Sequence, residues 1–293
     1  MRPILFLIAI FSPIILSAQD DLLKELDKGK KGTDVTMATF KGTRIVNGHS
    51  VETKPAGTLE FIFSHRFGRI NEGWFQMYGL DDAWVRLGID YGITDNLSVS
   101  LGRNSENKTL DGYAKYKILS QQKGKRNVPV TITLLEGFAF SFLPEKNSDI
   151  EGMDFKTVDR LAYTSQLLIA RKFTSNLSLQ LMPTFVHKNA VTQSTQKNQQ
   201  FAIGAGGRYK FTRSAAFTAE YYHNMSLVEN SPFQHVLGIG LDIETGGHVF
   251  QIVFSNSVGL TERAFITETT DKFFDGDIHF GFNVTRTFQF KKD

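Results

Sequence analysis

The stretch that decides the fold lies at the end of the chain and reads Ile278-His-Phe-Gly-Phe-Asn-Val-Thr-Arg-Thr-Phe-Gln-Phe290. Apolar side chains, among them Phe280 and Phe288, occupy one parity of this stretch, and mostly polar residues occupy the other. Successive side chains of a β-strand point to opposite faces, so the alternation predicts a strand with one apolar face. About eleven earlier segments share the pattern, which is typical of a transmembrane β-barrel with lipid outside and a polar lumen inside.

Strand periodicity begins at Gly57, and from there on it occurs in twelve segments. The segments are residues 57–67, 83–92, 96–104, 109–118, 129–142, 160–172, 176–187, 200–211, 215–223, 233–243, 247–257 and 278–290. The sequence therefore predicts an all-β fold, an antiparallel transmembrane β-barrel of about twelve strands with a short N-terminal periplasmic segment.

The connections between these segments alternate between short and long. Ile93-Thr-Asp-Asn96 and Phe173-Thr-Ser-Asn176 are short turns of the same design, and the connections between such turns are longer. Short periplasmic turns and longer extracellular loops are expected of an outer-membrane barrel, with both termini on the periplasmic side. This arrangement requires an even number of strands. The connection at 119–128 should be short in this scheme and fits it poorly.

The start of the chain has the features of a signal peptide. Arg2 precedes an apolar run from Ile4 to Leu16, and the small residue Ala18 suits signal peptidase. This run is too short to span a bilayer as a helix. No later apolar run is long enough to span one either. We predict a signal peptide at 1–18, an N-terminal periplasmic extension or plug at 19–56, and an outer-membrane β-barrel at 57–293.

The segment between the signal peptide and the barrel carries one hairpin signal. Asn47-Gly48 is a favoured two-residue turn, and it predicts a short hairpin within residues 39–51. The sequence leaves open whether this segment extends into the periplasm or plugs the barrel.

The composition excludes several classes of function. The 293 residues carry a net charge of only +3, so nothing in the bulk charge favours a nucleic-acid partner. Without cysteine, the chain has no disulfide, no thiolate metal site, no catalytic cysteine and no lipidated cysteine. No Walker loop, zinc-protease motif or nucleophile elbow is present. We expect no cofactor and no metal site.

The outward parity is apolar, with one exception. Aromatic residues lie beside the short turns, as in the interfacial girdle of a barrel, and these are Tyr91, Phe173, Tyr209 and Phe211. The exception is Glu136, which shares its parity with Ile132 and Phe138. A carboxylate facing lipid costs up to a few kcal/mol. We therefore expect either a bulge near Gly137 or a protonated, paired Glu136.

The inward parity carries charges of both signs on neighbouring strands. The residues predicted to line the lumen are Arg66, Arg86, Asp90, Lys115, Lys117, Arg208, Glu220, Asp242 and Asn283. Such charges either line a narrow water path or pair with one another and fill it. We expect Arg66 and Arg86 to pair with Asp90, Glu220 or Asp242, which would give a small conductance with weak ion selectivity.

Two further clusters contain residue types that could support catalysis or cation binding. His223 and His235 have outward parity and flank a loop that contains Ser226 and Ser231, as a lipid hydrolase of the outer membrane would need. Acidic residues in the longest extracellular loop could bind a cation, although a solvated acidic turn is the simpler interpretation. They are Glu268, Asp271, Asp275 and Asp277.

Several blocks resemble an uncharacterised family of Gram-negative outer-membrane β-barrels, a domain of unknown function. The blocks are Thr39-Phe-Lys-Gly-Thr-Arg-Ile-Val-Asn-Gly-His-Ser-Val-Glu52, Ser64-His-Arg-Phe-Gly68, Gly79-Leu-Asp81, Arg86-Leu-Gly-Ile-Asp-Tyr-Gly-Ile-Thr-Asp95, Asp111-Gly-Tyr-Ala-Lys-Tyr-Lys117, Gly246-Gly-His-Val-Phe-Gln251, Ser255-Asn256 and Gly276-Asp-Ile-His-Phe-Gly-Phe-Asn283. The resemblance spans roughly residues 35 to 290. It implies a barrel in the outer membrane and lends no catalytic residues. Many such barrels end on an aromatic residue, whereas Lys-Lys-Asp follows Phe290 here.

These observations predict a non-catalytic protein of the outer membrane. We expect a narrow, porin-like channel for passive transport or the membrane component of an envelope assembly. A structural or adhesive anchor and an outer-membrane lipid hydrolase are the alternatives. The expected partners are outer-membrane lipid and lipopolysaccharide, the barrel-assembly machinery, and a small solute or ion, with no nucleic acid.

Overall fold

The structure is a computed structural model of the 293-residue chain, and it describes residues 34–124, 126–143 and 156–290. The predicted signal peptide at 1–18 and the first part of the predicted extension lie outside the described residues. Their assignment remains a prediction.

The described chain contains fourteen strands, twelve of which form the wall of one closed barrel. The strands are β1 (Asp34–Val35), β2 (Thr58–Arg69), β3 (Ala83–Gly92), β4 (Leu97–Asn104), β5 (Thr109–Leu119), β6 (Gln122–Lys123), β7 (Thr131–Ser141), β8 (Leu161–Lys172), β9 (Leu177–Lys188), β10 (Gln199–Lys210), β11 (Ala215–Asn224), β12 (Val236–Thr245), β13 (His248–Ser255) and β14 (His279–Gln289). Each wall strand pairs with its neighbours in antiparallel fashion, and β14 pairs with β2 to close the ring. The prediction of an all-β, antiparallel barrel of about twelve strands is confirmed.

Helical structure in the described residues is confined to connections. One α-helix, α1, spans Glu262–Thr267, and the 3-10 helices are Ile70–Glu72, Trp74–Gly79, Glu106–Lys108, Thr157–Arg160 and Phe273–Asp275. No helix in the described part of the chain is long and apolar enough to cross a membrane.

Three short turns are held by the same hydrogen bond. Thr94, Thr174 and Thr212 each accept a bond from the main-chain N–H three residues ahead, at 3.0, 3.0 and 2.9 Å. A threonine hydroxyl that bonds to nearby main chain stabilises a turn over an extended conformation. The shared design that the sequence shows thus corresponds to a shared geometry at one end of the barrel, which we call the short-turn end.

The poorly fitting connection at 119–128 has a structural reason to be long. Within it, β6 pairs in antiparallel fashion with β1 from the N-terminal segment. The N–H of Thr36 also donates to the carbonyl of Gln121 at 2.8 Å. This connection therefore holds the N-terminal segment against the short-turn end of the barrel.

The outer surface carries the predicted aromatic side chains and one hydrogen-bonded carboxylate. Tyr91, Phe173, Tyr209 and Phe211 are all exposed beside the short turns. Glu136 is exposed and accepts a hydrogen bond from Ser165 at 2.6 Å, and these two residues face each other across β7 and β8. The register runs unbroken through Gly137, so the expected bulge is absent at this described position.

Candidate functional site

A small hairpin fills the interior of the barrel. We call residues 39–53 the plug hairpin. Most of these residues are buried, and side chains of wall strands on several sides form hydrogen bonds with them. A bridge joins Arg44 to His49, and the N–H of Ile45 donates to the carbonyl of Gly48 at 2.8 Å. The two loop residues are therefore Val46 and Asn47, one position earlier than the predicted Asn47-Gly48 turn.

The tip of the plug hairpin is held by a single wall carboxylate. Glu220 on β11 accepts hydrogen bonds from the N–H groups of Val46, Asn47 and Gly48, at 3.1, 2.7 and 3.0 Å. Its side chain is buried. A tight turn leaves main-chain N–H groups without partners, and an ionised carboxylate binds them more strongly than a neutral acceptor does. Glu220 was predicted to pair with an arginine; no such ion pair is seen in the described structure, which shows these main-chain contacts instead.

The second arm of the plug hairpin is bonded by β7 and β9. Gln180 accepts from the N–H of Val51 at 2.8 Å and donates to the carbonyl of His49 at 2.7 Å. The hydroxyl of Thr133 donates to the carbonyl of Val51 at 2.8 Å. The wall thus supplies the main-chain partners that a neighbouring strand would supply in a sheet.

Two more wall strands donate to plug carbonyls. The ammonium group of Lys115 on β5 donates to the carbonyls of Thr43 and Ser50 at 3.0 and 3.1 Å. Gln251 on β13 donates to the carbonyl of Ile45 at 3.1 Å. All three carbonyls belong to buried residues. Leaving one of them without a hydrogen-bond partner would lower the free energy of unfolding by about 1–3 kcal/mol.

The barrel seam also contacts the tip. Asn283 on β14 donates to the carbonyl of Val46 at 3.2 Å. Arg66 on β2 donates to the side-chain oxygen of Asn47 at 2.8 Å and to that of Asn283 at 3.1 Å. Arg66 is fully buried and makes no ion pair among the described residues, so the predicted pairing with a carboxylate is wrong.

Gly48 is required where the plug hairpin meets Tyr222. A Cβ at this position would lie 2.0 Å from the Tyr222 hydroxyl, which is fully buried and donates to the Met182 sulfur. We expect Gly48→Ala to lower the free energy of unfolding by about 1–3 kcal/mol, the usual cost of overpacking. The temperature of unfolding in detergent measures this. Gly246→Ala is the control, since a Cβ there meets nothing within 4 Å, and an equal loss would contradict the contact.

The end opposite the short turns is closed by α1, which folds back into the barrel. Phe265 on α1 is fully buried and packs on Tyr222, with ring centroids 5.2 Å apart. Glu262 lies 3.0 Å from Arg44 and 3.0 Å from His49 of the plug hairpin. The two inserted segments therefore meet inside the barrel.

Electrostatics favour this contact. Burial, together with nearby Arg44 and Lys115, lowers the pKa of His49 to about 3, so its imidazole is neutral at physiological pH. Burial opposes ionisation of Glu262, yet His49 and the Arg44 guanidinium hold its pKa below the usual range. The contact is thus an ion pair of Arg44 with Glu262 beside a neutral histidine.

The interior also contains an apolar cluster, which corrects the expectation of a uniformly polar lumen. Its members come from the plug hairpin, the wall and α1, and they are Phe40, Ile45, Val46, Val51, Leu168, Ala170, Met182, Ala202, Tyr222, Val236, Val253, Phe265 and Ile266. The inserted segments convert part of the lumen into a packed core.

Of the nine residues predicted to line the lumen, eight are buried within the described structure. Lys117 is partly exposed at the short-turn end, 3.7 Å from Glu52. The expected pairing of Arg86 with Asp90 is wrong: Arg86 pairs with Asp111 at 2.5 Å. Asp111 was missed, although it shares the parity of Lys115 on the same strand and could have been found from it.

Other predicted charges find partners along the wall. Asp90 accepts a hydrogen bond from the Tyr113 hydroxyl at 2.5 Å. Asp242 lies 3.6 Å from the Nε of Arg208 and accepts from Gln251 at 2.9 Å. The lumen charges thus mostly neutralise one another or bind the plug hairpin.

Two cavities of about 450 Å³ each lie at the short-turn end beside the plug hairpin. One is lined by Lys41 and Lys54 from the N-terminal segment and by Glu60, Glu244 and His248 from the wall. The other lies between residues 35–39 and Lys117. The plug hairpin is therefore loosely surrounded at the short-turn end and tightly packed at its tip.

The elements of the lipid hydrolase hypothesis do not assemble. The rings of His223 and His235 lie 4.2 Å apart, but Ser226 accepts from the N–H of Phe201 and Ser231 from that of Phe233. Within the described structure, no hydrogen bond joins either serine to a histidine.

Acidic residues of the long loop between β13 and β14 pair with cationic side chains. Asp271 pairs with Arg69 at 2.5 Å and lies 2.6 Å from His279, and Glu268 lies 2.9 Å from Arg263. No group of three or more metal-ligating side chains occurs in the part of the chain that the structure describes.

Comparison with known proteins yields one family. The model of a family described as a membrane bound beta barrel domain matches residues 40–288. No curated protein matches the chain. Together with the closed twelve-stranded wall, the family match confirms the predicted placement in the outer membrane, where barrels of this kind occur.

Several solved barrels are similar to the chain at low sequence identity. An outer membrane channel from Pseudomonas putida F1 has a TM-score of 0.47 and 12% identity, covering 81% of this chain and 98% of its own. The KdgM porin in complex with disordered oligogalacturonate has a TM-score of 0.46 and 11% identity, covering 79% and 99%. Omp33 from Acinetobacter baumannii has a TM-score of 0.43 and 9% identity, covering 79% and 98%.

Proposed function

Because the chain belongs to this family of membrane-bound β-barrel domains (DUF5777), we propose that it is a non-catalytic, gated channel of the outer membrane. The plug hairpin and α1 close the lumen at rest. Small solutes or ions pass when the plug hairpin moves toward the short-turn end, which we place at the periplasm, and α1, which contacts it through Glu262, moves aside.

The observation that carries this proposal is the kind of contact that holds the plug hairpin. Its main chain is bound by side chains of the wall, whereas each wall strand is bound by a continuous main-chain ladder. A neutral hydrogen bond that water can replace contributes only about 0.5–1.5 kcal/mol net, and a bond to a charged group about 1.5–3 kcal/mol. The plug hairpin can therefore leave while the wall stays closed, and the periplasmic cavities give it room to move.

The apolar interior cluster supports a second candidate. A barrel with a packed core at its centre resembles a structural component, and such a protein would anchor an envelope assembly without conducting. Under either proposal the partners are outer-membrane lipid, lipopolysaccharide and the barrel-assembly machinery. The two functions differ in whether current ever flows through the barrel.

Replacing Glu220 tests the gate. Glu220→Gln removes the charge from the bonds to the hairpin tip, and charge-assisted bonds contribute about 1.5–3 kcal/mol each. Since 1.4 kcal/mol is a factor of ten in an equilibrium, we expect the open fraction to rise at least tenfold. Single-channel recording in planar bilayers measures this fraction.

Glu229→Gln is the matched control, because Glu229 is exposed in an extracellular loop. It should leave the open fraction unchanged. If Glu220→Gln folds and still shows no openings, the structural role is favoured over the channel.

A further inference from the structure

We propose that the inner wall of this barrel is a peptide-binding site, which takes up a short, turn-forming peptide in trans once the plug hairpin has left. This inference rests on the proposed function only in requiring that the plug hairpin can leave. It adds the chemical class of a ligand.

The wall recognises main chain, which every peptide possesses. Glu220 accepts three successive main-chain N–H groups, and Lys115 donates to carbonyls from both arms of the hairpin. Gln180 bonds an N–H and a carbonyl at once, which is the pattern that an adjacent strand offers. Main-chain bonding of this kind gives affinity in the recognised modes of peptide binding.

The spacing of these groups also specifies a turn. The three N–H groups bound by Glu220 belong to consecutive residues, so they converge on one carboxylate only where the chain bends sharply. Asn283 and Gln251 bind carbonyls on the other side of the same bend. An extended peptide would present its N–H groups alternately to two sides and could not satisfy Glu220 in this way.

Two wall glycines give the site side-chain selectivity. A Cβ at Gly206 would lie 2.8 Å from the Ile45 side chain, and a Cβ at Gly238 would lie 2.9 Å from a Val46 methyl group. The absence of side chains at these positions makes room for two adjacent branched apolar residues, the second of which is the first residue of the turn. Pockets for particular side chains give specificity where main-chain bonds give affinity.

One polar pair extends this selectivity to the third residue of the tip. The Asn47 amide accepts from Arg66 at 2.8 Å and donates to the Ser255 hydroxyl at 3.0 Å. The preferred ligand is therefore a peptide with two branched apolar residues followed by Asn-Gly. The plug hairpin of a second copy has this chemistry, as does any peptide with the same tip.

The test uses the full chain and separates the plug from the wall only after folding. A protease recognition sequence is inserted between the exposed Pro55 and the half-buried Ala56, and the folded protein is cut there in detergent. A fluorescent synthetic peptide of residues 39–53 is then added, and its uptake is followed by anisotropy. We expect saturable uptake by the cut protein and none by the uncut protein, whose tethered plug occupies the site.

Variants of both partners define the contact. Uptake should weaken at least tenfold in a cut Glu220→Gln barrel, and also with a peptide that carries Gly48→Ala, which meets Tyr222. A scrambled peptide should not bind. Equal uptake of the scrambled peptide, no uptake after the cut fragment has left, or a fragment that never exchanges would each overturn the inference.

Conductance of the cut protein distinguishes this inference from the proposed function. If the peptide exchanges but no current flows after the fragment has left, the channel proposal fails and the peptide site stands. If current flows but the peptide does not bind, the reverse holds.

Discussion

A disulfide between the plug hairpin and the wall is expected to abolish conductance, and a reductant is expected to restore it. The positions are Val46 and Gly238: a Cβ at Gly238 would lie 3.4 Å from the Val46 Cβ, close to the usual range in disulfides. The Val46→Cys change also removes the methyl group that a Cβ at Gly238 would strike. Since the chain has no cysteine of its own, only this bond can form.

The pair is best tested in the Glu220→Gln background, in which we expect frequent openings. Oxidised protein should lose at least nine-tenths of its open fraction, and the reduced protein should regain it in the same bilayer. Val46→Cys alone is the control and should not respond to reductant. Undiminished current through fully oxidised protein would mean that conduction does not require the plug hairpin to leave.

Deleting residues 279–293 is expected to eliminate the folded barrel altogether. This removes β14, which pairs with β13 on one side and with β2 on the other. Both neighbours would then expose an unpaired edge, and in lipid each main-chain group without a partner costs several kcal/mol. The shift between unboiled and boiled protein in detergent gels reports the closed barrel, and it should disappear.

Phe288→Ser serves as the control for this deletion. The exposed aromatic ring is lost, but every main-chain bond of β14 remains, so the gel shift should persist. A truncated chain that still shows the shift would mean that β2 and β13 can close the barrel without β14.

The wall could be predicted from the sequence because strand periodicity is a local signal. The segment predicted at 83–92 is β3 without change, and that predicted at 278–290 differs from β14 by one residue at each end. The Thr-containing turns between strands are local as well. Alternation and turn chemistry together therefore specify the number and order of the wall strands.

The filling of the barrel could not be predicted in the same way. Glu220 binds main-chain groups 172 to 174 residues away, and no periodicity records such a contact. A charged residue of inward parity has the same pattern whether it faces water, another charge or an inserted segment. The inward position of α1 could not be predicted either, because its apolar residues lie within a loop of mixed composition.

The contacts of the plug hairpin have a consequence for the order of biogenesis. The hairpin precedes every wall strand in the chain, yet its partners include Arg66 on β2 and Asn283 on β14, the first and last strands of the wall. Its site is therefore complete only when the final strand arrives. An incomplete wall can form only some of the hydrogen bonds to the hairpin. The tip therefore becomes fixed only when β14 pairs with β2, so closure of the barrel and closure of its lumen occur together.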